Sequence, residues 1–175
     1  LSPEETYNYL SLIINKYPNI HFDFHAHNDY DLSVSNVLES LKAGCHGIHL
    51  TINGMGERAG NAPMASVAAV VRDFLPGVKI NLEERKLYKV SALISAFTGF
   101  KIPANKPIVG ENVFTQTAGI HADGDSKKNL YFNDLLPERF GRIREYALGK
   151  TSGKANIKKN LDKLGITLID EDLKK

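Results

Sequence analysis

From Ile20 to His27 the chain alternates residue by residue, with Phe22, Phe24 and Ala26 on one side and His21, Asp23, His25 and His27 on the other. A period of two sends successive side chains to opposite faces of an extended strand, so this segment reads as a strand with one apolar and one polar face. Its flanks narrow the choice of fold. Ser2-Pro3-Glu4-Glu5 reads as an N-cap, a first-turn proline and a capping-box glutamate. Tyr7, Leu10, Ile13, Ile14 and Tyr17 follow at helical spacing until Pro18-Asn19 stops them. Downstream, Val34, Val37, Leu38 and Leu41 form an apolar stripe, predicting a helix over about 31–43 that ends at Gly44, and residues 47–53 alternate again. Strand, helix and strand in so short a stretch make a βαβ unit, whose crossover requires 20–27 and 47–53 to be neighbouring parallel strands. Pro63 then opens a further helix through Val67, Val70, Val71 and Phe74.

Parallel sheets are covered on both faces, so a strand with a wholly polar face suits the mouth of a barrel better than an open sheet. His25 and His27 then point inward at the C-terminal end of a strand, where barrel chemistry sits. After Gly77 the pattern changes. Leu82, Leu87, Val90, Leu93, Ile94 and Phe97 predict a helix ending near Gly99, and an extended stretch from Lys101 to Gly110 carries prolines at 103 and 107. A boundary is expected at 76–80. Beyond it lie a Gly-rich loop at 119–124, a basic turn from Gly149 to Lys154 and a last helix with Ile157, Leu161 and Leu164.

The composition, 42% hydrophobic and 24% charged over 175 residues, is that of one or two small globular domains with a real core. A formal net charge of +2 with no basic block offers no dedicated nucleic-acid surface, and no apolar run is long enough to span a bilayer. Cys45, the single cysteine, forms no internal disulfide, and no charged-then-apolar leader opens the sequence; both point to a cytoplasmic or otherwise reducing setting.

Two histidines one residue apart on a strand project from one face with Cβ atoms roughly 6.5–7 Å apart, close enough for two imidazoles to share a metal ion. The same pair also suits a polar lumen layer or a solvent-facing strand. Asn28-Asp29 stands where a carboxylate or amide can orient ligating histidines. The three glycines of Gly54-Met55-Gly56-Glu57-Arg58-Ala59-Gly60-Asn61 allow turns that carry polar groups over the barrel mouth. Asn61 is there either a third metal ligand through its amide oxygen or a helix-start residue ahead of Pro63. Glu57 and Arg58 read as loop-shaping hydrogen-bond partners, His46 and His49 as structural histidines, and Cys45 as core.

His25-Ala26-His27-Asn28-Asp29 and Thr51-Ile52-Asn53-Gly54-Met55-Gly56-Glu57-Arg58-Ala59-Gly60-Asn61 resemble the last two barrel strands of the 2-isopropylmalate, homocitrate and citramalate synthase family. The resemblance continues through Asn105-Lys106-Pro107-Ile108-Val109-Gly110, Gly110-Glu111-Asn112-Val113-Phe114, Gly119-Ile120-His121-Ala122-Asp123-Gly124 and the Gly149–Lys154 turn. It covers nearly the whole chain. The fold it implies is α/β: the last portion of a (β/α)8 TIM barrel, its final two strands and helices, over 1–78, followed by small, mainly helical linker subdomains over 79–175.

The activity it implies is a Claisen-type acyl transfer joining acetyl-CoA to a 2-oxo acid, foremost as 2-isopropylmalate synthase of leucine biosynthesis, with citramalate and homocitrate synthase as alternatives. A divalent metal (Mg, Mn or Zn) would be held by His25, His27, Asn61 and an aspartate from an earlier strand, and would polarise the oxo-acid carbonyl. His121 and Tyr131 match proton-transfer residues that the subdomain delivers, usually to the partner protomer of a homodimer. His121, between glycines, stands on a loop able to close over a ligand, where an imidazole can serve in acid–base chemistry. Read alone, it is a surface histidine and Tyr131 a packed ring with a wet hydroxyl. Because the family's first-strand aspartate and catalytic glutamate match nothing here, these 175 residues alone are expected to be inactive. Gln116, where many relatives have histidine, and Asp31, where many have glycine, depart from the pattern. Readings of another class are a lyase like hydroxymethylglutaryl-CoA lyase and a non-catalytic fragment or dimerisation unit.

Overall fold

The structure is a computed structural model, and it describes residues 1–118, 120–121, 123–124, 135–150 and 152–166. Its contacts divide the chain into two compact units, Leu1–Gly110 and Glu111–Lys175.

The first unit opens with helix α1 (Pro3–Lys16). Its start is the expected capping box: the Ser2 hydroxyl accepts from the Glu5 N–H at 3.2 Å, and the Glu5 carboxylate accepts from the Ser2 N–H at 2.7 Å. Strand β1 (Asp23–His25), helix α2 (Ser33–Lys42) and strand β2 (Gly47–His49) form the βαβ unit, with β1 and β2 parallel as the patterns require. The register sets Phe24 beside Ile48 and His25 beside His49. Phe24, Ile48 and Leu50 pack with Val34 and Leu41 against a core of Ala26, Val37, Ala62, Val67 and Val71. Helix α3 (Met64–Phe74) supplies Val67 and Val71, starting directly after Pro63. Asp23, His25 and His49 are left on the exposed face.

Both strands are shorter than the alternation at 20–27 and 47–53 predicts, because the loop after β2 turns back and takes over their pairing. The Ala62 N–H donates to the Ala26 carbonyl at 3.0 Å and the Asn28 N–H to the Gly60 carbonyl at 2.9 Å, with His27 and Asn61 paired in an antiparallel bridge. On the other side, Thr51 bonds to Ala62 and Met64, while Ile52–Gly54 coils into a 3₁₀ turn with Asn53 at φ 61°.

The change of pattern at 76–80 lies inside the first unit. Helix α4 (Leu87–Thr98), ended as expected by a left-handed Gly99, is tied back to the 3₁₀ turn: the Asn53 amide donates to the Ser91 carbonyl at 3.0 Å, and the Ser91 hydroxyl donates to the Asn53 amide oxygen. Both side chains are buried, so this bond holds α4 where an unpaired amide would be costly.

In the second unit, β3 (Thr115–Gln116) runs parallel to β4 (Glu145–Tyr146), Phe114 stacks on Phe140 at 5.9 Å, and helix α5 (Lys154–Lys163) buries Asn156, whose amide donates to the Thr117 carbonyl. Among the described residues no helix is long and apolar enough to cross a membrane.

Candidate metal centre

His25 ends β1 and His27 follows two residues later, so both imidazoles leave the same face; their ring centroids are 5.0 Å apart with the planes at 88°. Asn61 stands opposite His27 in the antiparallel bridge, which puts its side chain on that face too. Directly paired residues have Cβ atoms about 4.5–5.5 Å apart. Thus Asn61, far along the sequence, is set on the same face as the two histidines.

The Asn61 amide nitrogen donates to the Met55 carbonyl at 3.2 Å, which fixes the amide's orientation. Its oxygen, like Nδ1 of His27, is buried with no hydrogen-bond partner among the described residues. Such orphaned atoms are rare in folded proteins and call for an explanation. An imidazole nitrogen and an amide oxygen are both lone-pair donors, so this pair, with His25 beside it, fits a divalent cation. Among the described residues no group of three or more His, Cys, Asp or Glu could hold a metal ion, so the donor set present is two imidazoles and one amide. A cleft of about 310 Å³ opens beside it, lined by Phe24, His25, Ala26, His27, Asp29 and Tyr30 among others.

The glycines make the Asn61 position possible. Gly60 has φ 85°, and a Cβ there would strike the Gly54 carbonyl. A Cβ on Gly56 would occupy the space of the Asn61 amide. Arg58, at φ 55°, reaches across to Asp29 with two bonds, Nε at 2.8 Å and Nη2 at 3.0 Å, tying the Asn61 loop to the segment after His27. These hydrogen bonds, with the guanidinium charge, hold the Asp29 carboxyl below its ordinary value.

Asp29 and Asn28 therefore do not orient the histidines as their position suggests. Asp29 is engaged by Arg58, and Asn28 serves helix α2: its oxygen accepts from the Ser33 N–H at 3.2 Å and from the Ser33 hydroxyl, while its amide donates to Asp31 at 3.0 Å. Asp31 sits at φ 59°, which explains why glycine suits that position and how an aspartate tolerates it, with Asn28 bonded to its side chain.

One group went unnoticed in the sequence. The Asp23 carboxylate meets Nε2 of His21 at 2.8 Å and Nε2 of His49 at 3.3 Å, and the His21 contact foremost lowers its pKa. His49 in turn stands edge-on to His25, ring centroids 6.1 Å apart, and His46 stacks on His21 at 4.8 Å. The signal was the His-x-Asp-x-His alternation, but its link to His49 required the strand register.

His121, in the second unit, is exposed, and its backbone N–H donates to the Ala118 carbonyl at 3.1 Å. Tyr131 lies outside the described residues.

Residues 1–94 match the HMGL-like family model, and residues 108–175 match the homocitrate synthase post-HMGL domain-like model. The chain is 37% identical over 173 residues to a homocitrate synthase of Sulfolobus acidocaldarius, covering 99% of this chain and 36% of that protein. It is 42% identical over 150 residues to a 2-isopropylmalate synthase of Sulfurisphaera tokodaii, covering 86% and 39%. The chain thus spans little more than a third of the length of these curated relatives. In fold it resembles an HMG-CoA lyase from Acenitobacter baumannii, solved with coenzyme A and 3-methylmalate, at a TM-score of 0.51 and 19% identity over 59% of this chain and 35% of that one.

Proposed function

Because the chain belongs to the HMGL-like family and continues into a homocitrate-synthase-type post-HMGL domain, we propose that it forms the C-terminal part of a metal-dependent acyltransferase that condenses acetyl-CoA with a 2-oxo acid. Residues 1–78 then supply the final two strands and helices of a (β/α)8 barrel, and 79–175 the linker subdomains. The observation that carries this reading is the placing of His25, His27 and Asn61 on one face, with His27 Nδ1 and the Asn61 amide oxygen both lacking a partner among the described residues. We take 2-isopropylmalate formation in leucine synthesis as the first reading, supported by the 42% identity, and homocitrate formation as the second, supported by the alignment over 99% of the chain.

In this mechanism His25, His27 and Asn61 hold the metal, whose chemistry when bound is to polarise the oxo-acid carbonyl. The Arg58–Asp29 clamp keeps Asn61 facing His27. His121 and Tyr131 act on the acetyl-CoA side: one takes a methyl proton, the resulting carbanion adds to the carbonyl carbon, the alkoxide so formed takes up a proton, and water then cleaves the thioester to a carboxylate and CoA. A homodimer in which the subdomain serves the partner's barrel, and a cytoplasmic setting, belong to the same proposal.

The test is a CoA-release assay of these residues within a complete barrel, with acetyl-CoA and 2-oxoisovalerate, pyruvate or 2-oxoglutarate. The first reading expects 2-oxoisovalerate to give the highest kcat/KM; release with none of the three overturns the proposal. In that protein His121→Ala should lower kcat by about 10²–10⁴-fold with little change in oxo-acid KM. A kcat within about twofold of the parent returns His121 to a surface role.

A further inference from the structure

The Asn61 loop faces a second polar group that the proposed metal chemistry does not use. Gly54, at φ 73°, lies in the turn that leads into this loop. A Cβ on Gly54 would stand 3.2 Å from the Asn61 carbonyl oxygen and 3.4 Å from Nζ of Lys106. The missing side chain is what lets the ammonium come down onto the turn beside Asn61. Lys106 is half-buried, and among the described residues its ammonium has neither a carboxylate within ion-pair distance nor a hydrogen-bond acceptor. A lysine stem is long and flexible enough to carry its charge away into water, so an ammonium that rests on a backbone turn without an anion stands where an incoming anion can meet it.

The backbone around it is rigid. The Lys106 N–H donates to the Pro103 carbonyl at 2.9 Å, and the Lys106 carbonyl accepts from the Gly110 N–H at 2.7 Å. A Cβ on Gly110 would collide with Ala104 and with both backbone polar groups of Lys106. Two residues on, buried Ile108 is held at φ 68°, a costly conformation for a β-branched side chain. A tight loop with a strained residue thus aims an unpaired cation at a glycine turn.

We propose that Lys106 and the Gly54–Gly56 turn form an oxyanion subsite beside the Asn61 loop, taking a carboxylate or phosphoryl oxygen of a substrate. The inference rests on the reading that this face receives an organic acid and a CoA thioester. The carboxylate would come from the acid and the phosphoryl oxygen from the nucleotide end of the thioester. Either would accept a charge-assisted hydrogen bond from Nζ.

The experiment is an NMR titration of the ¹⁵N-labelled 175-residue chain in metal-free buffer, with 2-oxoisovalerate in one arm and inorganic pyrophosphate in the other. It follows the amides of Gly54, Gly56 and Lys106. At least one arm is expected to give saturable shifts, and the arm that does so identifies the source of the oxyanion. Affinity should fall at least about tenfold in Lys106→Met, which keeps most of the stem, and less than about threefold in Lys106→Arg, which keeps the charge. Wild-type-like spectra of the unliganded variants establish that each is folded. Saturation in neither arm, or equal affinity in Lys106→Met, overturns the subsite. Metal is absent throughout, so this titration tests the subsite alone, whereas the CoA-release assay of the complete barrel tests the synthase reading, and failure of either leaves the other standing.

Discussion

His27 and Asn61 face each other across one antiparallel bridge, and each presents a buried polar atom, Nδ1 and the amide oxygen, that no group among the described residues satisfies. A strand pair normally leaves its buried polar atoms paired or wet, so two open ones on directly bridged residues are the atoms the proposed metal site would use.

The first consequence is a ladder of metal affinities. Calorimetric titration of the chain with Zn²⁺ should show weak binding, since two imidazoles and an amide form an incomplete shell for a divalent ion. His27→Ala should abolish it, whereas Asn61→Asp, which puts a carboxylate where the amide is, should tighten it by about tenfold or more. Equal affinity in the parent and in His27→Ala would remove the site.

The glycine turn separates backbone from side-chain effects. Gly60→Ala forces a Cβ into the Gly54 carbonyl at φ 85°, so denaturant unfolding should report a loss of more than about 1 kcal/mol. Gly56→Ala has no such φ to violate, but its Cβ occupies the space of the Asn61 amide. Its main effect should be weaker metal binding. A Gly56→Ala variant that binds zinc as the parent does would show that the Asn61 amide is not a ligand.

Ser91→Ala removes the hydroxyl that donates to the Asn53 amide oxygen and leaves that buried acceptor unsatisfied. The expected loss is about 1–3 kcal/mol in chemical denaturation. Hydrogen exchange should locate it at α4. Faster exchange confined to α1 would contradict the role given to this pair.

The α1 cap makes a pH prediction with a definite sign. The hydrogen bond from the Ser2 N–H lowers the Glu5 pKa from its ordinary 4.5. A carboxylate whose folded pKa lies below its unfolded one contributes stability that is present above the unfolded value and is lost as pH falls through the folded one. The Tm difference between the parent and Glu5→Gln should therefore be full at pH 6 and shrink toward zero on acidification below about pH 4. A difference independent of pH would assign it to packing.

The sequence by itself determined the order and type of the elements around the site, because those signals are local. Alternation in 20–27 reports which face of β1 is buried, the stripe through Val37 and Leu41 reports the same for α2, and a helix between two strands obliges them to run parallel. That His25 and His27 share a face follows from the strand period alone. What Asn61 does was left open between a ligand and a helix-start residue, and tertiary structure decided its place. The loop turns back only because Gly60 fits against Gly54 and the Ala62 N–H reaches the Ala26 carbonyl, a closure that no local propensity encodes. The Asn53–Ser91 bond, between residues 38 apart, likewise gathers α4 into the first unit across a boundary read from pattern alone. Asp23 was legible only as a polar strand residue until the register brought His49 to it. Periodicity states which side of an element is buried; which distant backbone groups then meet is settled by packing the elements together, and the candidate site is made from those meetings.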